Sequence, residues 1–336
     1  MLVATCLRVV TNREVMSTDA QISSVIKRSQ ANSDKCSDNG TTESKKAKMD
    51  EAVVYNVSSW IEENKKLFLP PVCNKLMHSK GQLKVMFVGG PNSRKDYHIE
   101  EGDELFYQVK GDMCLKIMEK GEPKDIIIKE GEIFLLPARI PHSPQRFENT
   151  VGLVIERMRE DGKEDDCLRY YTDGNKEVLW EKWFFCWDLV IDLPPVIKEY
   201  QASEQYKTGK PVEGFVKDPK FPIDVTTAVQ PPFQFGDWLT KNDASIQSSG
   251  NKWVYGKDMQ TGVIVFGEGE NSDESNAYES WMWQMEGTAT ITMDGKSVQL
   301  KKDDSILIPL NIRYKAERPK GAVTLLVYMD PTGKTC

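Results

Sequence analysis

From about Gln82 the chain consists of short apolar stretches separated by turn residues, and that pattern is written twice. LKVMFV, ELFYQV, CLKIM, DIIIK, EIFLLP and GLVIERM are of strand length, with Gly, Pro, Asp and Asn between them. Runs broken this often cannot make long helices and indicate an all-β sandwich or barrel. The second half repeats the first. Glu104-Leu-Phe-Tyr-Gln-Val-Lys-Gly111 lies beside Ser280-Trp-Met-Trp-Gln-Met-Glu-Gly287. IIIKEGEIFLLPARIPHSPQR (126–146) lies beside VQLKKDDSILIPLNIRYKAER (298–318), with Pro137 matched by Pro309 and Arg146 by Arg318. Two lobes of one β fold account for 336 residues better than one large barrel.

Around the repeat the texture differs. Residues 1–50 contain no Phe, Trp or Tyr and are rich in Ser, Asp, Asn and Lys, so a disordered N-terminal extension is expected there. Ser59-Trp60-Ile61-Glu62 has a capping-box pattern and predicts a helix with Trp60, Ile61, Leu67 and Phe68 toward a core, stopped by Pro70-Pro71. The aromatic-rich stretch 178–206 is expected to pack between domains and to turn helical after Pro195. The domain plan is therefore an extension over 1–50, a chemically equipped lobe with flanking helices over 51–205, and a linker with the second lobe over 206–336.

A formal charge of −7 argues against a nucleic-acid groove built on a broad basic face. No apolar run approaches the roughly 18 residues of a membrane span. The seven cysteines are widely spaced and contain no C-x-x-C, which excludes a zinc ribbon and argues against a disulfide framework. A cytoplasmic location follows as an expectation, and Glu14 and Asp19 interrupt any transit-peptide pattern. Two lobes able to pack on each other within one chain favour a monomer.

The three histidines, His78, His98 and His142, narrow the search for a site. The first lobe reads Gly90-(7)-His98-Ile-Glu100-Glu-Gly-Asp-Glu104-(6)-Gly111, then Gly131-(5)-Pro137-(4)-His142-(3)-Arg146. His98 and Glu100 share one face of a strand, Glu104 follows the EGD turn, and His142 arrives from a later strand. Two imidazoles and one carboxylate on one side of a metal leave other positions open, the arrangement suited to Fe(II) and O2. His78 lies outside this pattern and reads as structural. In the second lobe Ser280 replaces Glu104, Tyr314 replaces His142, and no histidine follows residue 142, so that lobe is expected to be metal-free.

These residues resemble the two cupin motifs, G-x5-H-x-H-x3,4-E-x6-G and G-x5-P-x-G-x2-H-x3-N. The departures (a longer first spacer, Glu100 for the second His, Arg139 for Gly, Arg146 for Asn) are similar to one cupin family, 3-hydroxyanthranilate 3,4-dioxygenase. GGPNSRKDYHIEEGDELFYQVKGDMCLKI, FLLPARIPHSPQR and LWEKWFFCWDL carry the resemblance, which runs from about residue 54 to 336. It implies a fold of two cupin lobes, the second degenerate, as in the animal-type enzyme. It implies Fe(II) held by His98, Glu104 and His142, with Glu104 also bordering the substrate. Arg94 and Arg146 would hold the substrate carboxylate, Glu156 would meet the ring hydroxyl or amino group, and Asn74 and Pro144 would line the pocket. Glu156 and Arg94 would be the catalytic side chains. The implied reaction is extradiol opening of 3-hydroxyanthranilate by O2 to 2-amino-3-carboxymuconate semialdehyde, the quinolinate precursor in tryptophan catabolism and NAD biosynthesis. The residue types agree: an ortho-aminophenol can chelate a metal, a carboxylate suits an arginine fork, and the Arg94, Lys95, Arg139, Arg146 cluster is positive within an acidic chain. The rival readings are another cupin metalloenzyme for an anionic aromatic and a non-catalytic bicupin.

Overall fold

The central strands of both lobes bury both faces, which is why they read as unbroken apolar runs rather than alternating ones. In Leu83–Gly89 the odd positions Leu83, Val85 and Phe87 enter one core cluster, while Met86 enters another. Glu104–Lys110 behaves alike: Leu105 joins the first cluster and Phe106 the second. The first cluster lies between the lobes and includes Val263, Val265, Trp281, Leu325 and Val327 from the second half. The second cluster fills the barrel of the first lobe. A third, with Met282, Ile291, Ile306, Tyr314 and Leu326, fills the barrel of the second.

The computed structural model describes residues 53–70, 73–78, 81–92, 94–173, 176–273 and 276–332. The expected disordered extension lies outside them. All described strand pairs are antiparallel and form two sheets per lobe, giving the two β lobes the repeat implies. One first-lobe sheet runs, in order, Phe233–Gln234, Glu132–Leu136, Glu104–Lys110, Val151–Arg157, Leu83–Gly89 and Asn74–His78. The other runs Val178–Phe184, Asp166–Tyr171, Tyr97–Ile99, His142–Arg146, Met113–Glu119 and Glu122–Ile128.

Two arms cross between the lobes. Val54–Asn56 pairs with Asp304–Ile308 of the second lobe, and Phe233–Gln234 pairs with Glu132–Leu136 of the first. The N-terminal helix is Val57–Asn64, continued by a 3₁₀ turn over Lys65–Phe68. Its cap is Asn56, not Ser59: the Asn56 side chain accepts from Ser59 N at 3.1 Å. Asp303 accepts from Val57 N and Ser58 N, each at 2.8 Å, so a second-lobe loop completes the helix start that Asn56 begins. Trp60 and Phe68 are buried as expected.

The later helix, Leu189–Ala202, begins six residues before Pro195 and contains Pro194 and Pro195. Each proline forgoes an amide hydrogen bond. Asp192 accepts from Trp187 N and Asp188 N at 2.8 Å, and Leu193 and Val196 are buried against Leu168, Tyr170 and Trp180. The expected interdomain packing of 178–206 is thus replaced by packing on the first lobe. The two prolines are carried by that burial.

His78 is buried beside Tyr55, with ring centroids 5.4 Å apart. Burial pushes its pKa from 6.5 down to about 4. The unfolded chain then binds the extra proton, so the fold should lose up to roughly 3 kcal/mol as pH falls from 6.5 toward 4. Denaturant midpoints measured across that range should fall steeply for the wild type and more gently for His78→Gln. Parallel curves would refute the assignment.

Candidate active site

The strand parity that builds the barrel also delivers the site. Glu104 opens a strand whose even positions face the barrel interior, beside Phe106. His98 and His142 lie on paired strands and are direct cross-strand partners, with ring centroids 5.4 Å apart. All three side chains are buried.

His142 Nδ1 lies 3.0 Å from the Ile140 carbonyl, which only accepts, and so donates to it, turning Nε2 toward Glu104 Oε2 at 3.0 Å. A proton on Nε2 or a metal ion between the two groups would each satisfy that contact. His98 Nε2 lies 2.7 Å from Asp166 Oδ2. Glu100 offers a ligand atom within 4.8 Å of those on His98 and His142, while its Oε2 meets Arg159. Buried imidazole and carboxylate ligand atoms gathered this closely fit a divalent metal ion.

Arg159 stands behind this group. It reaches Glu100 at 2.5 Å, Glu156 at 3.2 Å and Asp166 at 2.8 Å. Lys84 adds a contact to Glu156 at 3.3 Å. Four buried carboxylates, Glu100, Glu104, Glu156 and Asp166, are thus gathered around Arg159 and Lys84. Burial would raise the Glu156 carboxyl, but Arg159 and Lys84 overcome it and hold the group down to about 2. Glu100 goes the other way: burial lifts it well above the usual range against the pull of Arg159.

The metal-facing side opens on a cavity of about 510 Å³. Asn74, Arg94, His98, Glu104, His142, Pro144 and Arg146 all border it. Arg146 is 3% exposed, and its Nη1 donates to Gln108 at 3.3 Å. No carboxylate of the described residues lies within ion-pair distance of it, and burial, with Arg94 adding repulsion, lowers its pKa to about 10 against the more distant pull of Glu104. A buried guanidinium facing a cavity with no carboxylate in contact is a site for an anion. Arg94 differs, since Nε and Nη2 are engaged by Asp96.

Not every expected residue arrives there. Glu156 borders a neighbouring cavity of about 360 Å³ with Lys84, although its carboxylate comes within 4.8 Å of Glu104 and Glu100. Arg139 leaves the positive cluster: it occupies the motif's glycine position with φ 66° and pairs with Glu101 at 3.3 Å. Asp166 and Arg159 were missed, because nothing local distinguishes a buried ion-pair partner from a surface charge. The helix 189–202 was missed as a wall, yet Leu189, Leu193, Ile197 and Tyr200 line the main cavity. In the second lobe Ser280 Oγ donates to Asn276 and Tyr314 accepts from Asn271, and Arg318 is spent on Thr324 and Asn271.

The family model for 3-hydroxyanthranilic acid dioxygenase matches residues 49–201. A Rattus norvegicus 3-hydroxyanthranilate 3,4-dioxygenase is 50% identical over 279 residues, covering 83% of this chain and 96% of the relative. The Xenopus tropicalis protein of that name is 52% identical over 286 residues, covering 83% and 99%. The Homo sapiens one is 48% identical over 279 residues, covering 83% and 96%. The chain belongs to the 3-hydroxyanthranilate 3,4-dioxygenase family. As a member of that family it is a dioxygenase, and its buried histidine and carboxylate donors suit a metal cofactor.

Breaking the Asp166 contact tests the network. Asp166→Asn removes the charged pairing to Arg159 and to His98, while Glu100 and Glu156 still face Arg159, and should destabilise the fold by about 1.5–3 kcal/mol. A change in unfolding free energy under 1 kcal/mol would show that the network carries no such weight.

Proposed function

We propose that this dioxygenase opens the ring of 3-hydroxyanthranilate with O2, forming 2-amino-3-carboxymuconate semialdehyde, which closes to quinolinate in tryptophan catabolism. Family membership supports the activity, and the single structural observation that carries the substrate is Arg146, buried in the cavity without a carboxylate partner. We assign Fe(II) as the metal and His98, Glu104 and His142 as its ligands, supported by the clustering of His98 and His142 ligand atoms and by the 3.0 Å approach of Glu104 to His142. Bound Fe(II) would supply the electron route by which triplet O2 reacts with a closed-shell aromatic.

The chain's own residues do the rest. Arg146 pairs with the substrate carboxylate and fixes which edge of the ring points toward the ligands. Arg94 has its Nε edge on Asp96, which holds the guanidinium at the cavity wall and leaves Nη1 for the same carboxylate. Asn74 and Pro144 bound the ring, and Leu189, Leu193 and Ile197 cover it with an apolar wall that excludes water. Glu156 is a carboxylate held ionised, and a group held near 2 is a weak base. Its part is to accept a hydrogen bond from the ring hydroxyl or amine rather than to carry the proton away. The apolar face between the lobes is covered within one chain, which supports a monomer. The described cysteines are free thiols, which supports the cytoplasm.

Anaerobic reconstitution with Fe(II), followed by O2, should remove the 3-hydroxyanthranilate absorbance in step with appearance of the ring-opened product. His98→Ala should abolish both iron uptake and turnover; full iron and activity in that variant would refute the ligand set. Arg146→Lys keeps the charge but loses the planar fork, so KM should rise about 10- to 100-fold with a smaller change in kcat. Equal turnover of 2-aminophenol and 3-hydroxyanthranilate by the wild type would remove the carboxylate site.

A further inference from the structure

The lobes exchange side-chain contacts in a reciprocal pattern. Asp103, the residue before Glu104, accepts from Thr261 N of the second lobe at 3.0 Å. Glu279, the residue before Ser280 in the repeat, accepts from Leu83 N of the first lobe at 2.9 Å. Thr261 and Leu83 each open the corresponding strand of their lobe, and each follows a glutamine. Gln260 donates to the Glu101 carbonyl at 2.9 Å, and Gln82 donates to the Met329 carbonyl at 3.1 Å. The Gln260 and Gln82 carbonyls accept from Asp330 N and Met158 N.

The two halves of this clasp differ in what lies next to them. Beside Glu279 stands Ser280, which binds nothing but its own loop. Beside Asp103 stands Glu104. Asp103 is 1% exposed, and its second oxygen accepts from Ala138 N at 3.0 Å, in the turn leading to His142. Arg139 N in that turn donates to the Glu100 carbonyl at 2.8 Å. One carboxylate thus joins the turn bearing Glu104, the turn preceding His142 and the leading edge of the metal-free lobe.

We infer that Asp103 and Gln260 are positioning residues through which the metal-free second lobe holds Glu104 and His142 in register. The inference rests on the ligand set proposed above. Both turns lie in loops between strands, where a ligand's direction depends on how the backbone is pinned. The second lobe pins them from outside the barrel without lending a ligand.

The repeat supplies its own control. Asp103→Asn and Gln260→Leu should each weaken Fe(II) binding about 10- to 100-fold in anaerobic chelator competition and shift the visible spectrum of the Co(II)-loaded protein. Glu279→Gln, the mirror change, should lower the melting midpoint similarly but leave the metal dissociation constant unchanged. If Asp103→Asn and Gln260→Leu lower the melting midpoint and leave the metal constant and Co(II) spectrum alone, the clasp is only structural and the inference is wrong. Should Asp103→Asn fail to fold, Gln260→Leu, which keeps Asp103, decides the matter. Glu104→Gln separates the layers: undiminished Fe(II) binding in that variant would overturn the ligand set itself.

Discussion

Burial of both faces of the same strands governs this protein. Leu83, Val85, Phe87, Leu105, Leu153 and Ile155 point to the other lobe, while Met86, Phe106 and Val154 point into their own barrel. A strand with two apolar faces cannot slip by one residue without placing every side chain against the wrong partner. Glu104 and Glu156 share their strands' inward parity with Phe106 and Val154, so the register that packs the core also aims the carboxylates. Stability and site geometry therefore have one origin.

The cost of that arrangement is buried charge. Four carboxylates and two cations sit where water does not reach, and such groups are tolerated only when paired or bound to a metal. Arg159 engages three of the carboxylates, and His142 and Glu104 approach within 3.0 Å, where a proton or a metal ion would complete the balance. Arg146 shows the opposite imbalance a short distance away: a buried cation left for an anion brought by the substrate. A site with an unmet need for a cation on one side and for an anion on the other suits a metal and a carboxylate-bearing aromatic bound side by side.

Much of the site was readable because its motif is local. His98 and Glu104 are six residues apart around one turn, and His142 and Arg146 share one strand, so fixed offsets from Gly and Pro reveal them. The duplicated pattern likewise pointed to two β lobes, which the four sheets show. What stayed hidden depends on distant partners. Asp166 meets His98 from 68 residues away and Asp303 caps a helix from 245 residues away. Arg139 looked like part of a positive cluster, yet its backbone at φ 66° turns it to Glu101. The helix at 189–202 seemed to start after its prolines because local propensity takes no account of the burial of Leu193 and Val196.

By itself the amino-acid sequence determined the strand pattern and its duplication, since periodicity and short-range spacing are properties of neighbouring residues. Only the tertiary structure decided that arms cross between the lobes, that Glu156 faces a second cavity, and that Arg146 is left without a carboxylate. It also decided that Asp103 ties the metal-free lobe to the turns of Glu104 and His142. Those outcomes depend on which groups meet after the chain has closed on itself. A charge carries no mark of its future partner until burial removes the water that would otherwise serve any of them.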